Sequence, residues 1–329
     1  MKGRLEHDLK NEERIRTILF RMPEFVTEWD TNMQACGKTA TTRIGYLYKV
    51  ELYLKYINQD TRNITLNDLT LSSVQDFLIS MQHIMKKGEL CESSDSYKEL
   101  LWNAMNSLFL YMTKCEYFSK NPMDMIECPK NNDRERIRMN RRLLDSEEFR
   151  EILKAVDNDK ECIMRHRNKA IILIFMTTGI RRTALTEINI EDIDEISHTL
   201  TVIDKRKKTH IYYLGESTVE ALRKWQEERP KYLKDEENSA LFLNNRGNRI
   251  GVCAVNDIAT KYTKAALKER LTAHKFRAGY INVLYRKIHD LDFVRKAVGH
   301  SSVLTTARYI DAEGDERKKA RDLMEMAIS

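Results

Sequence analysis

The sequence predicts a mainly α-helical fold with a small β element in its C-terminal half (α+β), on three observations. Only 11 Gly and 4 Pro occur in 329 residues, so few tight turns interrupt the chain. Apolar residues recur at helical spacing through most of it. Two segments alone, 199–203 (TLTVI) and 210–214 (HIYYL), are β-branched and aromatic runs on either side of a short polar turn. The length fits two domains, and a 42% hydrophobic content supplies a core for each.

Residues 1–22 are highly charged and are expected as an N-terminal extension. Residues 23–126 read as a helical domain. Within it, 41–56 carries Ile44, Leu47, Tyr48, Val50, Leu52 and Tyr53 on a broad apolar face. Segments 72–85 and 97–112 have the same pattern, and Asn121-Pro122 interrupts it. Residues 127–142 are basic and poor in apolar side chains, which marks a linker. A second domain, 143–312, opens on Asp145 with Glu148 three positions later, a capping box, followed by inward-facing Phe149, Ile152, Leu153 and Val156. A buried helix at 169–177 comes next, then the two strands. Helices return at 217–228, 252–269, 274–287 and 293–298. A last helix is expected at 314–326, within a C-terminal segment 313–329.

The formal charge of +6 is mild, but its distribution is uneven. Arg134, Arg136, Arg138, Arg141 and Arg142 crowd one segment, and Lys205, Arg206, Lys207 and Lys208 are consecutive. Such clusters suit a phosphate backbone, because each neutralised phosphate releases counterions; the alternative is solvated loops. The six cysteines form no CxxC pair, which argues against a zinc site or a disulfide framework and for free thiols in a reducing cytoplasm. The opening MKGRLEHDLK has no apolar signal region, and the most apolar run, 170–176, falls short of the ~20 residues a membrane helix needs. A cytoplasmic protein without a membrane partner is expected. Cys36-Gly37-Lys38-Thr39 imitates the end of a phosphate-binding loop. Asn32 stands where that motif needs a glycine, and no apolar strand precedes it, so no ATP site is assigned.

Four motifs follow in order in the second domain: Thr178-Gly179-Ile180-Arg181; Lys205 after the first strand; His274-Lys275-Phe276-Arg277; and Val298-Gly299-His300, with Tyr309 nine residues on. Each alone is common. Together, in this order and on these elements, they resemble the tyrosine recombinase (phage integrase) family. TGIRR is similar to its first arginine motif, Lys205 to its β-hairpin lysine, HKFR to its His-x-x-Arg box, and VGH with Tyr309 to its second histidine and nucleophile. The resemblance covers the second domain. It implies a two-domain clamp on DNA, with a helical core-binding domain at 23–126 and a catalytic domain at 143–312. One position departs from the pattern: the family's acidic residue three positions after the first arginine is Ala184 here. Either Glu187, one helical turn on, substitutes, or Arg181 lacks that support.

The residue types fit the implied chemistry. Cleaving a phosphodiester places extra charge on the non-bridging oxygens, and the planar guanidiniums of Arg181 and Arg277 match two such oxygens while staying ionised. An unperturbed tyrosine has a pKa near ~10, so roughly one in a thousand is ionised at pH 7. Neighbouring arginines favour the phenolate of Tyr309, with His274 assisting as base. Lys205 supplies a proton to the leaving 5′-oxygen, with Lys207 and Lys208 as rivals, and His300 hydrogen-bonds the phosphate. The resemblance implies a 3′-phosphotyrosyl intermediate and a free 5′-hydroxyl. The ester conserves the bond energy, so no ATP, metal or other cofactor is expected.

The implied partner is double-stranded DNA carrying specific sites. It would be held by a dimer on one site and a tetramer in synapsis, with the C-terminal helix docked on a neighbouring subunit and an accessory directionality factor as a further partner. Thr41, Thr42, Arg43 and Lys49 on one helix, Arg141 and Arg142 in the linker, and Lys207 and Lys208 are the expected DNA contacts. The expected role is integration and excision of a mobile element. Two other readings stay open: a type IB topoisomerase, which shares the arginine, lysine, histidine and tyrosine chemistry, and a DNA-binding protein that has lost catalysis.

Overall fold

The computed structural model describes residues 2–86, 88–130, 142–203, 209–299, 302–307 and 324–326. The chain divides into two compact units, Met1–Ile137 and Arg138–Ser329.

The first unit contains helices α1 (Lys2–Leu19), α2 (Glu24–Ala35), α3 (Ala40–Ile57), α4 (Leu71–Ser80) and α5 (Asp95–Lys114). Its core gathers Trp29, Leu47, Tyr53, Phe77 and Phe109, all fully buried. The segment expected as an extension is instead part of this core: α1 packs on α3 and buries Ile15 and Ile18. Its many charges hide a narrow apolar stripe. The Cys-Gly-Lys-Thr run is a helix stop and start. Gly37 has φ +74, a left-handed conformation that ends α2, and Thr39 caps α3 by accepting from the Thr42 amide at 3.3 Å. The helix expected to run from 72 to 85 ends at Ser80. The chain then forms a hairpin of β1 (His83–Lys86) and β2 (Glu89–Glu92), with Met85 opposite Leu90.

The second unit opens on α6 (Ser146–Asn158), whose capping box is formed as expected: the Glu148 amide donates to Asp145 at 2.9 Å and the Asp145 amide to Glu148 at 3.1 Å. Helix α7 (Arg165–Thr178) is the hub, with every residue from Ala170 to Phe175 buried. Each fully buried side chain of this size contributes about 1.5–3 kcal/mol. The short helix α8 (Arg182–Glu187) leads to an antiparallel sheet in the order β3 (Ile193–Asp194), β4 (Thr199–Ile203), β5 (Thr209–Tyr213). Helices α9 (Glu216–Glu228), α10 (Val252–Leu267), α11 (Ala273–Ile288), α12 (Leu291–Ala297) and α13 (Val303–Ala307) follow. Of the expected C-terminal helix, residues 324–326 are helical and exposed; the rest lies outside the described residues. None of the six cysteines, all of them among the described residues, is in a disulfide.

Candidate active site

Two features of α7 and α11 position the arginine motifs. Helix α7 ends at Gly179, whose φ of +60 only glycine adopts without strain. A Cβ there would also lie 2.5 Å from Cδ1 of the Tyr280 ring, so the close approach of α11 requires glycine a second time. The turn that follows makes Arg181 the N-cap of α8, half-buried. On α11, Phe276 is locked into the core between Phe149 (ring centroids 6.1 Å) and Phe175 (6.0 Å). That anchor fixes the rotation of α11. His274, in its first turn, is exposed, while Arg277 is 3% exposed.

Arg277 links three parts of the unit. One terminal nitrogen donates to the Gly179 carbonyl at 2.5 Å and the other to the Val298 carbonyl at 2.9 Å. Gly179 is the C-cap of α7 and Val298 the C-cap of α12. The buried cation therefore sits between two helix C-termini, whose unpaired carbonyls carry partial negative charge. This contact brings TGIR, HKFR and the VG of VGH together. A small cleft beside it is lined by Arg181, Ala184, Val202, His210, Val298 and Gly299. Ala184 thus borders the cleft without offering an acidic group, and Glu187 closes α8 at its other end. Lys205, Lys207, Lys208, His300 and Tyr309 lie outside the described residues, as do Arg134, Arg136, Arg138, Arg141 and Arg206.

Sequence reasoning passed over His210, which it read only as a strand residue. No sequence signal marks it, because its partner is a backbone carbonyl 87 positions away: Nε2 lies 3.2 Å from the Ala297 oxygen.

One expected DNA contact needs correction, and a second is engaged in ion pairs. Arg43 is 2% exposed and points into the first unit, where Nε and Nη2 grip Asp30 at 2.9 and 2.5 Å and Nη1 reaches Glu12 at 2.8 Å. It ties α1, α2 and α3 together, and the Asp30 carboxylate raises its pKa further. Arg142 is committed to Glu148 through both terminal nitrogens and to Glu269 through Nε at 3.1 Å, so a phosphate would have to displace two carboxylates. Thr41 and Thr42 are exposed at the start of α3. Lys49 is half-buried with its ammonium 5.4 Å from the centre of the Tyr97 ring.

Residues 142–316, just over half the chain, match the phage integrase family. The chain belongs to that family. Membership places it among the tyrosine recombinases, as the ordered motifs imply. It is 33% identical over 222 residues to tyrosine recombinase XerC of Caldanaerobacter subterraneus, a match covering 66% of this chain and 59% of that relative. Its fold is similar to that of XerH site-specific recombinase bound to palindromic difH substrate in a post-cleavage complex, with TM-score 0.68, 21% identity and coverage of 87% and 81% of the two chains. It is also similar to the Tn1549 transposon integrase in complex with a circular intermediate DNA, with TM-score 0.65, 17% identity and coverage of 91% and 99%. These likenesses support the two-domain helical architecture with its small sheets.

Proposed function

We propose that this protein is a site-specific DNA recombinase that cleaves and rejoins DNA through a phosphotyrosine formed on Tyr309, without ATP or metal. The observation that carries the reading is the Arg277 bridge, which draws the first arginine turn, the His-x-x-Arg helix and the turn before His300 to one place. In the reaction, the Tyr309 oxygen attacks the phosphorus and its proton passes to His274. The P–O5′ bond breaks, and Lys205 gives a proton to the 5′-oxygen. Arg181 and Arg277 stabilise the charge on the non-bridging oxygens, assisted by His300. Religation reverses these steps with a new 5′-hydroxyl.

Exchanging strands between two duplexes requires four cleavages, hence four protomers, with a dimer on each site. The amphipathic tail with Leu323, Met324 and Met326 has too little apolar surface to be stable alone, and docking on a neighbouring subunit buries it. A cytoplasmic location, a mobile element as substrate and an accessory directionality factor complete the reading. The likeness to a transposon integrase supports the mobile element. To test it, the protein is incubated with DNA flanking its own gene and quenched with SDS. A covalent adduct in wild type that is absent in Tyr309→Phe is expected. An adduct in both, or site-independent relaxation of any supercoiled plasmid, would contradict it.

A further inference from the structure

We infer that His210 is a positioning residue that latches the catalytic hairpin to the C-terminus of α12. The inference rests on the recombinase reading for the role of Lys205, but the latch itself is a matter of geometry.

His210 lies on β5, directly opposite Val202 on β4. Its Nε2 is 3.2 Å from the carbonyl of Ala297, the last residue of α12. A carbonyl only accepts, so Nε2 carries the proton. The last carbonyls of a helix have no intrahelical donor and take partners from outside. Here two consecutive ones are served by the two motifs that flank the cleft: Ala297 by His210 and Val298 by Arg277. The rest of the ring is equally constrained. Tyr212 meets it edge-on, with centroids 4.4 Å apart. Gly299, at φ +66, borders the ring, and a Cβ there would make ordinary van der Waals contact with Nδ1 at 3.4 Å.

Chain continuity gives the latch its consequence. Five residues, 204–208, join β4 to β5, and Lys205 is among them. Gly299 directly precedes His300. Beyond Leu200, where pairing with β3 ends, β4 and β5 continue as a two-stranded ribbon that twists and bends easily, so a general acid on its connection needs a fixed base. His210 provides one, anchored to the last residue of α12, three positions before His300 in the sequence.

The test uses the chemistry of the leaving group. Attack by Tyr309 forms an O–P bond and expels O5′, which leaves as a strong base unless Lys205 protonates it. In a duplex with sulfur in place of that bridging oxygen, the P–S bond breaks and the thiolate leaves without a proton. Full-length wild type, His210→Ala and His210→Gln are compared on oxygen and sulfur duplexes spanning the mapped cleavage position. His210→Gln retains an N–H donor at similar reach.

The expected result is that His210→Ala slows cleavage of the oxygen duplex by about 10–100-fold, part of the ~10²–10⁴ a positioned general acid supplies. On the sulfur duplex it matches wild type within about twofold, and His210→Gln restores most of the oxygen rate. Equal slowing on both duplexes, or on neither, overturns the inference. If wild type forms no adduct, the recombinase reading fails, and amide exchange on the free protein decides the latch. Loss of protection across 199–213 in His210→Ala with an unchanged melting temperature supports it, and unchanged protection overturns it.

Discussion

The guanidinium of Arg277 donates to the carbonyl of Gly179, two residues before Arg181, so the second candidate arginine holds the turn that presents the first. Loss of one arginine should therefore disturb the other, and the two should behave as a unit.

Arg277→Lys tests that coupling. An ammonium is a point charge and does not replace a planar fork spanning two carbonyls. Covalent adduct formation should fall by at least about 10²-fold. The Arg181→Lys, Arg277→Lys double variant should be little worse than either single variant. Independent roles would instead multiply the two losses.

Gly179→Ala should destabilise the second unit by about 2–5 kcal/mol. The left-handed backbone costs a side chain ~1–2 kcal/mol, and the overlap with Tyr280 adds ~1–3 kcal/mol. Denaturant unfolding gives the total. Adding Tyr280→Ala, which removes the ring a Cβ would strike at 2.5 Å, should leave mainly the backbone penalty and the cavity cost. Additive losses from the two changes would show that the ring contact is unimportant.

The first unit should depend on Arg43 for folding. Arg43→Ala leaves Asp30, itself buried, without its partner, which costs about 3–5 kcal/mol. Thr42→Ala, at an exposed neighbour, should change stability by less than about 1 kcal/mol. Circular dichroism during urea unfolding separates the two cases. An Arg43→Ala protein of normal stability with weakened DNA binding would restore the expectation drawn from sequence.

Alkaline stability should report on Tyr53. Burial pushes its hydroxyl from 10.0 up to about 12, against a smaller opposing effect of its hydrogen bond to Ser73. The folded state thus holds the proton more tightly than the unfolded state. Its contribution is complete below pH ~10 and is lost as pH rises through about 12, a difference of roughly 3 kcal/mol. Tyr53→Phe should begin less stable, having lost a 2.7 Å hydrogen bond, and should fall less steeply over that interval. Parallel curves for the two proteins would contradict this.

The parts of the structure that the sequence revealed are those whose signals are local. The capping box at Asp145 and Glu148, the buried helix expected at 169–177 and the β-branched strand 199–203 depend on neighbours a few positions apart, and each formed. What it hid depends on distant partners. Arg43 shares a helical face with Leu47, Val50 and Leu54, so its phase pointed inward, but nothing in the sequence marks Asp30 and Glu12 as its counter-charges. Residues 83–85 continue the helical spacing of the segment before them, and the Lys87-Gly88 pair between the two strands is not the usual Asn-Gly or Asp-Gly hairpin signal. Of the candidate residues, Arg181, His274 and Arg277 sit in sequence motifs, whereas His210 does not, because a carbonyl acceptor has no residue type.

The most direct test of the catalytic assignment is to trap the protein on its DNA, digest the adduct with nuclease and trypsin, and identify the modified peptide by mass spectrometry. The account predicts a nucleotide joined through its 3′-phosphate to the peptide of residues 309–317, on Tyr309. The same mass on any other peptide, or cleaved DNA with no modified peptide, would contradict it.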